Sequence, residues 1–232
     1  MVIEKCIWME AGVVEYQLCP LKKNCEICDF HQEMIRGTRS SIPGITSLET
    51  RCPDPSLTQF TPGLQYLDGH FWYKHVGAKR IRLGIDIFLW QLFASTQKVV
   101  FPQTGGQVQQ DSCFCWLILS GGMAYLKTPV SGTIMAVNPR LDSDYIHDSQ
   151  LLYSPENELW LIELEVGEDF QQGSLIKDQY LNQIREEQFQ FEAIFMNRMD
   201  SEAGRPDHIT VDPRGDFRKY LQKVSRGQAF IC

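Results

Sequence analysis

The chain has 232 residues, of which 43% are hydrophobic and 22% are charged, and its formal net charge is −7. This length suits one medium domain with appendages or two small domains, and it can bury a substantial core. The negative charge and the lack of a basic stripe argue against nucleic acid as a partner, because phosphate binding relies on clustered lysine and arginine.

The first residues predict the compartment. They lack the basic stretch and the apolar run of a secretory signal, and no stretch of the chain reaches the ~20 apolar residues of a membrane helix. We therefore expect a cytoplasmic protein with no membrane span. Thiols stay reduced in that compartment, so clustered cysteines there more often hold metal than form disulfides.

Four of the eight cysteines fall within the first 28 residues. Cys25 and Cys28 have a spacing that places two thiolates on one metal ion, and Cys6 and Cys19 can supply a second pair. The pattern predicts a zinc site that orders residues 1–40, a segment with too little core to fold firmly alone.

Other uses of these cysteines stay open. Four thiolates also suit an iron–sulfur cluster, although the pattern favours zinc. Unligated thiols or a redox dithiol are further alternatives. His31, three residues after Cys28, and Cys52, in the following linker, are reserve ligands.

Composition divides the rest of the chain. Residues 41–63 are rich in Ser, Thr, Pro and Gly and are predicted to form a linker. Residues 64–170 predict short strands separated by turns. In residues 171–232, apolar side chains recur at helical spacing from Leu175 to Met199, and a short second helix is predicted over Phe217–Val224. The long helix is too apolar to lie wholly in water, so we expect it to pack on the β-domain or on a partner.

A hairpin is predicted in the middle of the β-rich region. Cys113–Leu119 has the composition of a buried strand, and a second strand resumes at Ala124. Gly121 and Gly122 between them predict a tight turn. Alternation along the first strand places Cys113 and Cys115 on the same face, where we expect them to pack in the core.

Several motifs in this region resemble one family. His70-Phe71-Trp72 opens it, Val99-Val-Phe-Pro-Gln-Thr-Gly-Gly-Gln-Val108 follows, and Thr128-Pro-Val-Ser-Gly-Thr-Ile-Met-Ala-Val-Asn138 comes next. In this order they resemble the H protein of the glycine cleavage system over about residues 66–169. The resemblance implies a mainly β fold with flanking helices, a barrel-sandwich hybrid of the lipoyl and biotinyl type.

The resemblance also implies where lipoic acid would be attached. In that family a lysine stands on the hairpin eight positions before the proline of the Pro-Val-Ser-Gly turn, and counting back from Pro129 gives Gly121. Ser120 and Gly122 beside it cannot form an amide with lipoate either. The nearest lysine in sequence, Lys127, is expected in the following strand, so we predict no lipoate.

The motifs of several enzyme classes are missing: the chain has no phosphate-binding Gly-Lys-Ser/Thr loop, no Gly-x-Ser-x-Gly elbow and no His-Glu-x-x-His. The first residues, from Cys6 to Val14, resemble an extension on bacterial H-like proteins that are similar to adaptor or sensory proteins. The sequence therefore favours a non-enzymatic, non-lipoylated module that binds a protein partner. The alternative is a redox or electron-transfer protein that uses a cysteine-ligated iron–sulfur cluster or a dithiol.

Overall fold

A computed structural model describes most of the chain: residues 4–10, 14, 16–38, 48–120, 122–142, 154, 156–167, 170, 173–195, 208–212 and 215–231. These residues are mainly β with a few helices, as predicted. The strands in chain order are β1 (Glu4–Lys5), β2 (Leu18–Cys19), β3 (Leu48–Arg51), β4 (Gln65–Tyr66), β5 (Phe71–His75), β6 (Arg80–Ile85), β7 (Thr96–Val100), β8 (Gln107–Val108), β9 (Cys113–Leu119), β10 (Gly122–Lys127), β11 (Gly132–Val137), β12 (Trp160–Glu165), β13 (His208–Val211) and β14 (Ala229–Ile231). The α-helices are α1 (Ile7–Glu10), α2 (Asp29–Thr38), α3 (Ile87–Leu92), α4 (Lys177–Phe195) and α5 (Asp216–Val224). None of the helices in these ranges has the length and apolar content that a membrane span requires.

Two larger antiparallel sheets enclose the main core. One has the strand order β14-β10-β9-β7 and is called the hairpin sheet below; the other has the order β4-β5-β6-β12-β11-β8. Buried side chains of both sheets belong to one cluster. Phe71 on β5 and Phe114 on β9, for example, have ring centroids 6.4 Å apart across it.

The predicted hairpin is present between β9 and β10. Leu119 pairs with Gly122, so two positions separate the paired residues at the hairpin end. Gly122 thus lies in the strand and not at the centre of the turn, since two loop residues are enough to join antiparallel strands. Gly121 lies outside the described residues.

A strand forms inside the interval that the sequence predicted as a linker. β3 pairs with β13 of the C-terminal region, with Leu48 opposite Val211 and Arg51 opposite His208. Leu48 and Thr50 are fully buried, and the Thr50 hydroxyl donates to the carbonyl of Leu92 at 2.8 Å. Burial alternates along β3 in the way a strand with one inward face requires. Residues 41–47 lie outside the described residues.

The long C-terminal helix packs on the β-domain, which is one of the two predicted alternatives. Tyr180 of α4 stacks on Tyr66 of β4 with ring centroids 4.1 Å apart. Further along, Phe191 lies against Tyr220 of α5 at 5.4 Å. Phe189, between these contacts, has 72% of its surface exposed. The helix therefore buries one face, and the predicted second helix supports its far end.

Cys113 and Cys115 do not share one environment, which corrects the prediction from strand alternation. Cys115 is fully buried in the main core, whereas Cys113 packs against a second, smaller cluster. The pairing register of β9 with β10 shifts between Leu126 and Lys127, where these two cysteines stand opposite. Such a bulge breaks the alternation of faces, because one strand contains an extra residue.

Candidate functional site

The hairpin end is the place where the resemblance implied a lipoyl lysine. Ser120 is exposed there, and its backbone N–H donates to the carbonyl of Ser95 at 3.1 Å. Lys127 lies at the other end of β10, about 17 Å along the strand. Its Nζ sits 5.1 Å from the ring centroid of Phe230. Lys127 therefore cannot present its amine from the hairpin end.

A second lysine lies near the hairpin end, and counting along the sequence missed it. Lys98 on β7 pairs with Ile118, and the next pair along is Thr96 with Leu119. The lysine thus stands on a neighbouring strand and not on the turn. Sheet pairing brings it close to the end of the hairpin although it precedes the hairpin by about twenty residues in sequence.

The N-terminal segment packs on the hairpin sheet. We call its described part, residues 4–38 without the gaps given above, the head segment. A cluster of buried residues joins the head segment to the face of the hairpin sheet that is turned away from the main core. Its members are Cys6, Ile7, Trp8, Cys19 and Cys25 of the head segment, with Val100, Trp116, Ile118 and Met123 of the sheet. The cysteine-rich region thus covers the outer face of the hairpin.

Cys6, Cys19, Cys25 and Cys28, the four head cysteines, belong to this region. The pairing of β1 with β2 puts Glu4 opposite Cys19, and Cys6 follows β1 directly. Cys25 begins a 3-10 turn that ends at Ile27, and Cys28 follows it. Three of the four thiols are buried and that of Cys28 is half-buried. The backbone N–H of Lys23 donates to the sulfur of Cys19 at 3.1 Å.

The four thiols interact electrostatically. Burial raises the pKa of the Cys25 thiol well above its usual range, and charges on the other three head cysteines raise it further. Burial also raises the pKa of Cys6, and Cys19 and Cys28 contribute to that rise. The thiols do not converge completely: in the part of the chain that the structure describes, no three His, Cys, Asp or Glu side chains form a group ready to hold a metal ion. The predicted metal site therefore stays a prediction.

The two reserve ligands have other surroundings. His31 is buried and its Nδ1 accepts a hydrogen bond from the indole N–H of Trp8 at 3.1 Å. Burial lowers the pKa of His31 from 6.5 to about 4, so the ring is neutral. Cys52 belongs to the main core and not to the cluster of the head segment. Neither residue adds a ligand to the four thiols as they stand.

A buried ionic network joins the β-domain to α4, and sequence reasoning did not find it. His70 Nδ1 lies 2.8 Å from Asp86 Oδ2, and its Nε2 lies 2.7 Å from Glu187 Oε2. Burial lowers the pKa of His70, but the two carboxylates outweigh this effect and raise it from 6.5 to about 10. The imidazolium therefore donates to a carboxylate from each nitrogen. Both nitrogens are engaged, so His70 serves as a bridge and not as a general base.

The partners of His70 are held in turn. Asp86 caps α3 by accepting from the backbone N–H of Leu89 at 2.9 Å, and it accepts from the Tyr180 hydroxyl at 3.0 Å. Arg226 Nη2 lies 3.5 Å from the second oxygen of Glu187. The His-x-Trp motif pointed to His70 itself. Glu187, however, lies 117 residues away in the sequence, and no spacing rule connects the two.

Glu156 is a second buried carboxyl group near this network. Its Oε2 accepts from the hydroxyl of Thr61 at 2.9 Å and from the hydroxyl of Tyr66. Burial, with a smaller contribution from the charge of Asp86, raises the pKa of Glu156 from 4.5 to about 7. The folded state thus binds this proton more tightly than the unfolded state. Glu156 therefore stabilises the fold most below about pH 4.5, and this contribution is lost as the pH rises to about 7.

We expect Glu156→Gln to remove this pH dependence. Glutamine keeps an oxygen that accepts from Tyr66 and has no charge to bury, so the variant should exceed the wild type in stability at about pH 8 and match it more closely at about pH 5. Urea unfolding at both values measures the difference. Parallel stability curves for the two proteins would show that Glu156 does not titrate in this range.

Comparison with known proteins agrees with the fold. The sequence model of the family "Glycine cleavage H-protein" matches residues 64–188. The chain is 31% identical over 127 residues to a glycine cleavage system H protein of Halalkalibacterium halodurans, covering 53% of this chain and 94% of that protein. It is 27% identical over 105 residues to a glycine cleavage system H-like protein of Chlamydia muridarum, covering 45% and 87%. The crystal structure of an H protein from Mycobacterium marinum aligns with a TM-score of 0.44 and 19% identity, over 53% of this chain and 98% of that one.

Proposed function

Because the chain belongs to the glycine cleavage H-protein family, we propose that it keeps the lipoyl-carrier-like β-domain of that family without carrying lipoate and acts as a module that binds a protein partner. It is a cytoplasmic adaptor or regulatory protein and not an enzyme. The matched region leaves the head segment outside the family domain. We expect the head segment to provide a function that the family domain does not have.

One observation carries the proposal. The hairpin residues where the family resemblance expects the attachment lysine are Ser120, Gly121 and Gly122. Lipoate is joined to protein through an amide, which needs a primary amine, and none of these three residues offers one. Lys98 and Lys127 lie in strands and not on the turn. The fold is kept and the reactive residue is lost, and function follows the site and not the fold.

The cofactor of this proposal is zinc in the head segment, and no lipoate. The four head cysteines also support the alternative, a redox or electron-transfer protein, because the same thiols can ligate an iron–sulfur cluster or cycle as a dithiol. The two functions differ in a simple property. A colourless protein that contains zinc supports the adaptor, and a brown protein that absorbs in the visible range supports the redox alternative.

We expect the chain to remain unmodified when it is produced in cells supplied with lipoate. Intact-mass measurement tests this, with an authentic H protein produced in the same cells as the positive control. The control should gain the mass of one lipoyl group while this chain keeps its sequence mass. A lipoyl group mapped by peptide analysis to Lys98, Lys127 or any other lysine would contradict the proposal.

The variant Gly121→Lys separates the loss of the residue from the loss of the recognition surface. The family resemblance places an acidic residue three positions before its lysine, and Ile118 stands there in this chain, buried under the head segment. We therefore expect little modification of Gly121→Lys. Efficient modification would show that only the amine was lost.

For the partner, we expect a second protein to co-purify in stoichiometric amount from the cells that produce this chain naturally. A chain that purifies as a monomer without any partner under gentle conditions would argue against an adaptor.

A further inference from the structure

We infer that the four head cysteines form one zinc site and that the zinc ion fastens the head segment to the outer face of the hairpin sheet. The choice of zinc rests on the proposed function, and the inference adds how the ion holds the head segment; a protein without zinc would overturn it and leave the absence of lipoate to its own test by intact mass. The inference rests on how the backbone presents the thiols, on a strained turn, and on an unsatisfied donor beneath them.

The first pair of thiols shares one side of the β1–β2 ribbon. Glu4 stands directly opposite Cys19, so the two side chains point to the same face. Cys6 lies two residues after Glu4, and alternation along an extended strand returns it to that face. The backbone N–H of Cys6 donates to the carbonyl of Gln17 at 2.8 Å, which continues the pairing up to the cysteine. Cys6 and Cys19 are thus diagonal neighbours.

The second pair is brought together by a 3-10 turn. The backbone N–H of Cys28 donates to the carbonyl of Cys25 at 3.2 Å, which closes a turn of three residues. Side chains three residues apart lie above one another in such a turn. Two thiols therefore leave the turn on the same side, and Cys25 belongs to the same buried cluster as Cys6 and Cys19 of the ribbon.

The loop between the two pairs is strained in a way that serves a sulfur ligand. Lys22 and Lys23 adopt φ angles of 50° and 60°. Non-glycine residues keep this left-handed conformation only where the surrounding structure imposes it. The turn that results aims the N–H of Lys23 at the sulfur of Cys19. A backbone donor of this kind orients a metal-bound thiolate and offsets part of its charge.

A buried donor under the head segment also lacks an acceptor. Trp116 of β9 belongs to the cluster that contains Cys6, Cys19 and Cys25, and its indole N–H has no hydrogen-bond partner among the described residues. A buried donor without an acceptor destabilises the fold, because it has lost its hydrogen bond to water without replacement. A zinc-bound thiolate carries more negative charge than a thiol and is a better acceptor for an indole N–H.

Zinc binding requires the thiols to converge further, to about 2.3 Å from one centre. The half-buried Cys28 has the freedom for this movement at the surface. Four thiolates and Zn²⁺ leave a net charge of −2, and the ammonium group of Lys23 acts on Cys25 with the opposite sign. His31 is hydrogen-bonded to Trp8, and Cys52 lies in the main core. We therefore assign the zinc ligands to the four thiols alone.

The metal would provide stability that the head segment lacks. Its two strands have two residues each, α1 has four and α2 has ten. Strands and helices this short are not stable by themselves in water. A structural zinc ion contributes its binding free energy to folding, so loss of the ion should loosen the head segment and uncover Trp116, Ile118 and Met123.

The test begins with the full chain purified without chelators. We expect one equivalent of zinc by elemental analysis, with Cys25→Ser losing most of it. Cys52→Ser is the matched control, because it makes the same chemical change in a buried cysteine of the main core, and it should keep its zinc. Hydrogen exchange should speed up more than tenfold in the head segment of Cys25→Ser while β5 and β6 keep their protection.

A second measurement covers the case in which Cys25→Ser fails to fold. Cobalt added to the metal-free wild-type protein should give the charge-transfer bands of a tetrathiolate site, with a one-to-one endpoint. A wild-type protein that holds no zinc and binds no cobalt would overturn the inference. So would a brown iron–sulfur chromophore, or equal loss of zinc from Cys25→Ser and Cys52→Ser.

Discussion

Replacing His70 with alanine is expected to lower the free energy of unfolding by about 3–5 kcal/mol. The variant leaves the carboxylates of Asp86 and Glu187 buried without the cation between them. Breaking a buried ionic group costs more than breaking an exposed one, because the remaining charges stay buried without the counterion that they shared. His75→Ala is the matched control: it changes the same residue type at the end of β5, the strand that follows His70, but His75 is exposed, and the loss there should stay within about 0.5 kcal/mol.

Two further observations separate the ionic role of His70 from its backbone role. Its φ angle is 70°, so alanine also adds backbone strain; His70→Asn tolerates this conformation better and isolates the loss of charge. The raised pKa predicts that the contribution of His70 is complete below about pH 6.5 and is lost as the pH rises to about 10. Urea unfolding across this range should show the decline in the wild type and not in His70→Asn. A loss below 1 kcal/mol for both variants at neutral pH would contradict the bridge.

Phe191→Ala is expected to have a comparable effect, about 3–5 kcal/mol. Phe191 is fully buried between α4 and α5 and contacts Tyr220 and Phe195. Removing its ring leaves a cavity in the seam that holds the two helices together. Phe189→Ala is the control within the same helix, because Phe189 is mostly exposed, and its replacement should change stability by no more than about 0.5 kcal/mol.

Thermal or urea unfolding of the two phenylalanine variants compares them directly. If α4 packs as described, only Phe191→Ala shifts the midpoint by a large amount. Equal and small shifts would mean that the helix contributes little to the stability of the fold. A larger effect for Phe189→Ala would mean that the other face of the helix is the buried one.

Local patterns predicted much of the fold. The β9–β10 hairpin follows from two strand-forming runs that flank glycines, and α5 was predicted as Phe217–Val224 and is observed as Asp216–Val224. Helical spacing also predicted α4 and its need for a packing surface. It could not select the surface, because the contacts with Tyr66 and Tyr220 join parts of the chain that no periodicity connects.

Pairings between distant segments were the main omissions. β3 lies among Pro, Ser and Thr residues that favour turns, and its partner β13 follows in the last part of the chain. Strand propensity depends on such partners more than on the residues themselves. Cys113 and Cys115 were predicted on one face for a similar reason, since the extra residue that shifts the register of β9 against β10 shows only when the two strands pair.

The candidate sites also divide into those that local sequence patterns predicted and those that depend on contacts between distant segments. The four head cysteines were singled out by their spacing, and the lack of an attachment lysine was predicted by counting along a motif. The ionic network was not found, although His70 was noted as part of a motif. Asp86, 16 residues away, meets His70 through the pairing of β5 with β6, whereas Glu187, 117 residues away, becomes its neighbour only when α4 has docked.

The position of β14 at the edge of the hairpin sheet has a consequence for the order of events during synthesis. β10 pairs with β9 on one side and with β14 on the other. Residues 128–228 must be translated before β14 exists, which takes on the order of 5–20 s at ribosomal rates. During that interval, β10 displays an unpaired edge, the kind of surface on which nascent chains associate with one another. The hairpin sheet is therefore completed late, and a nascent chain that stalls before Ala229 would keep this edge of β10 unpaired.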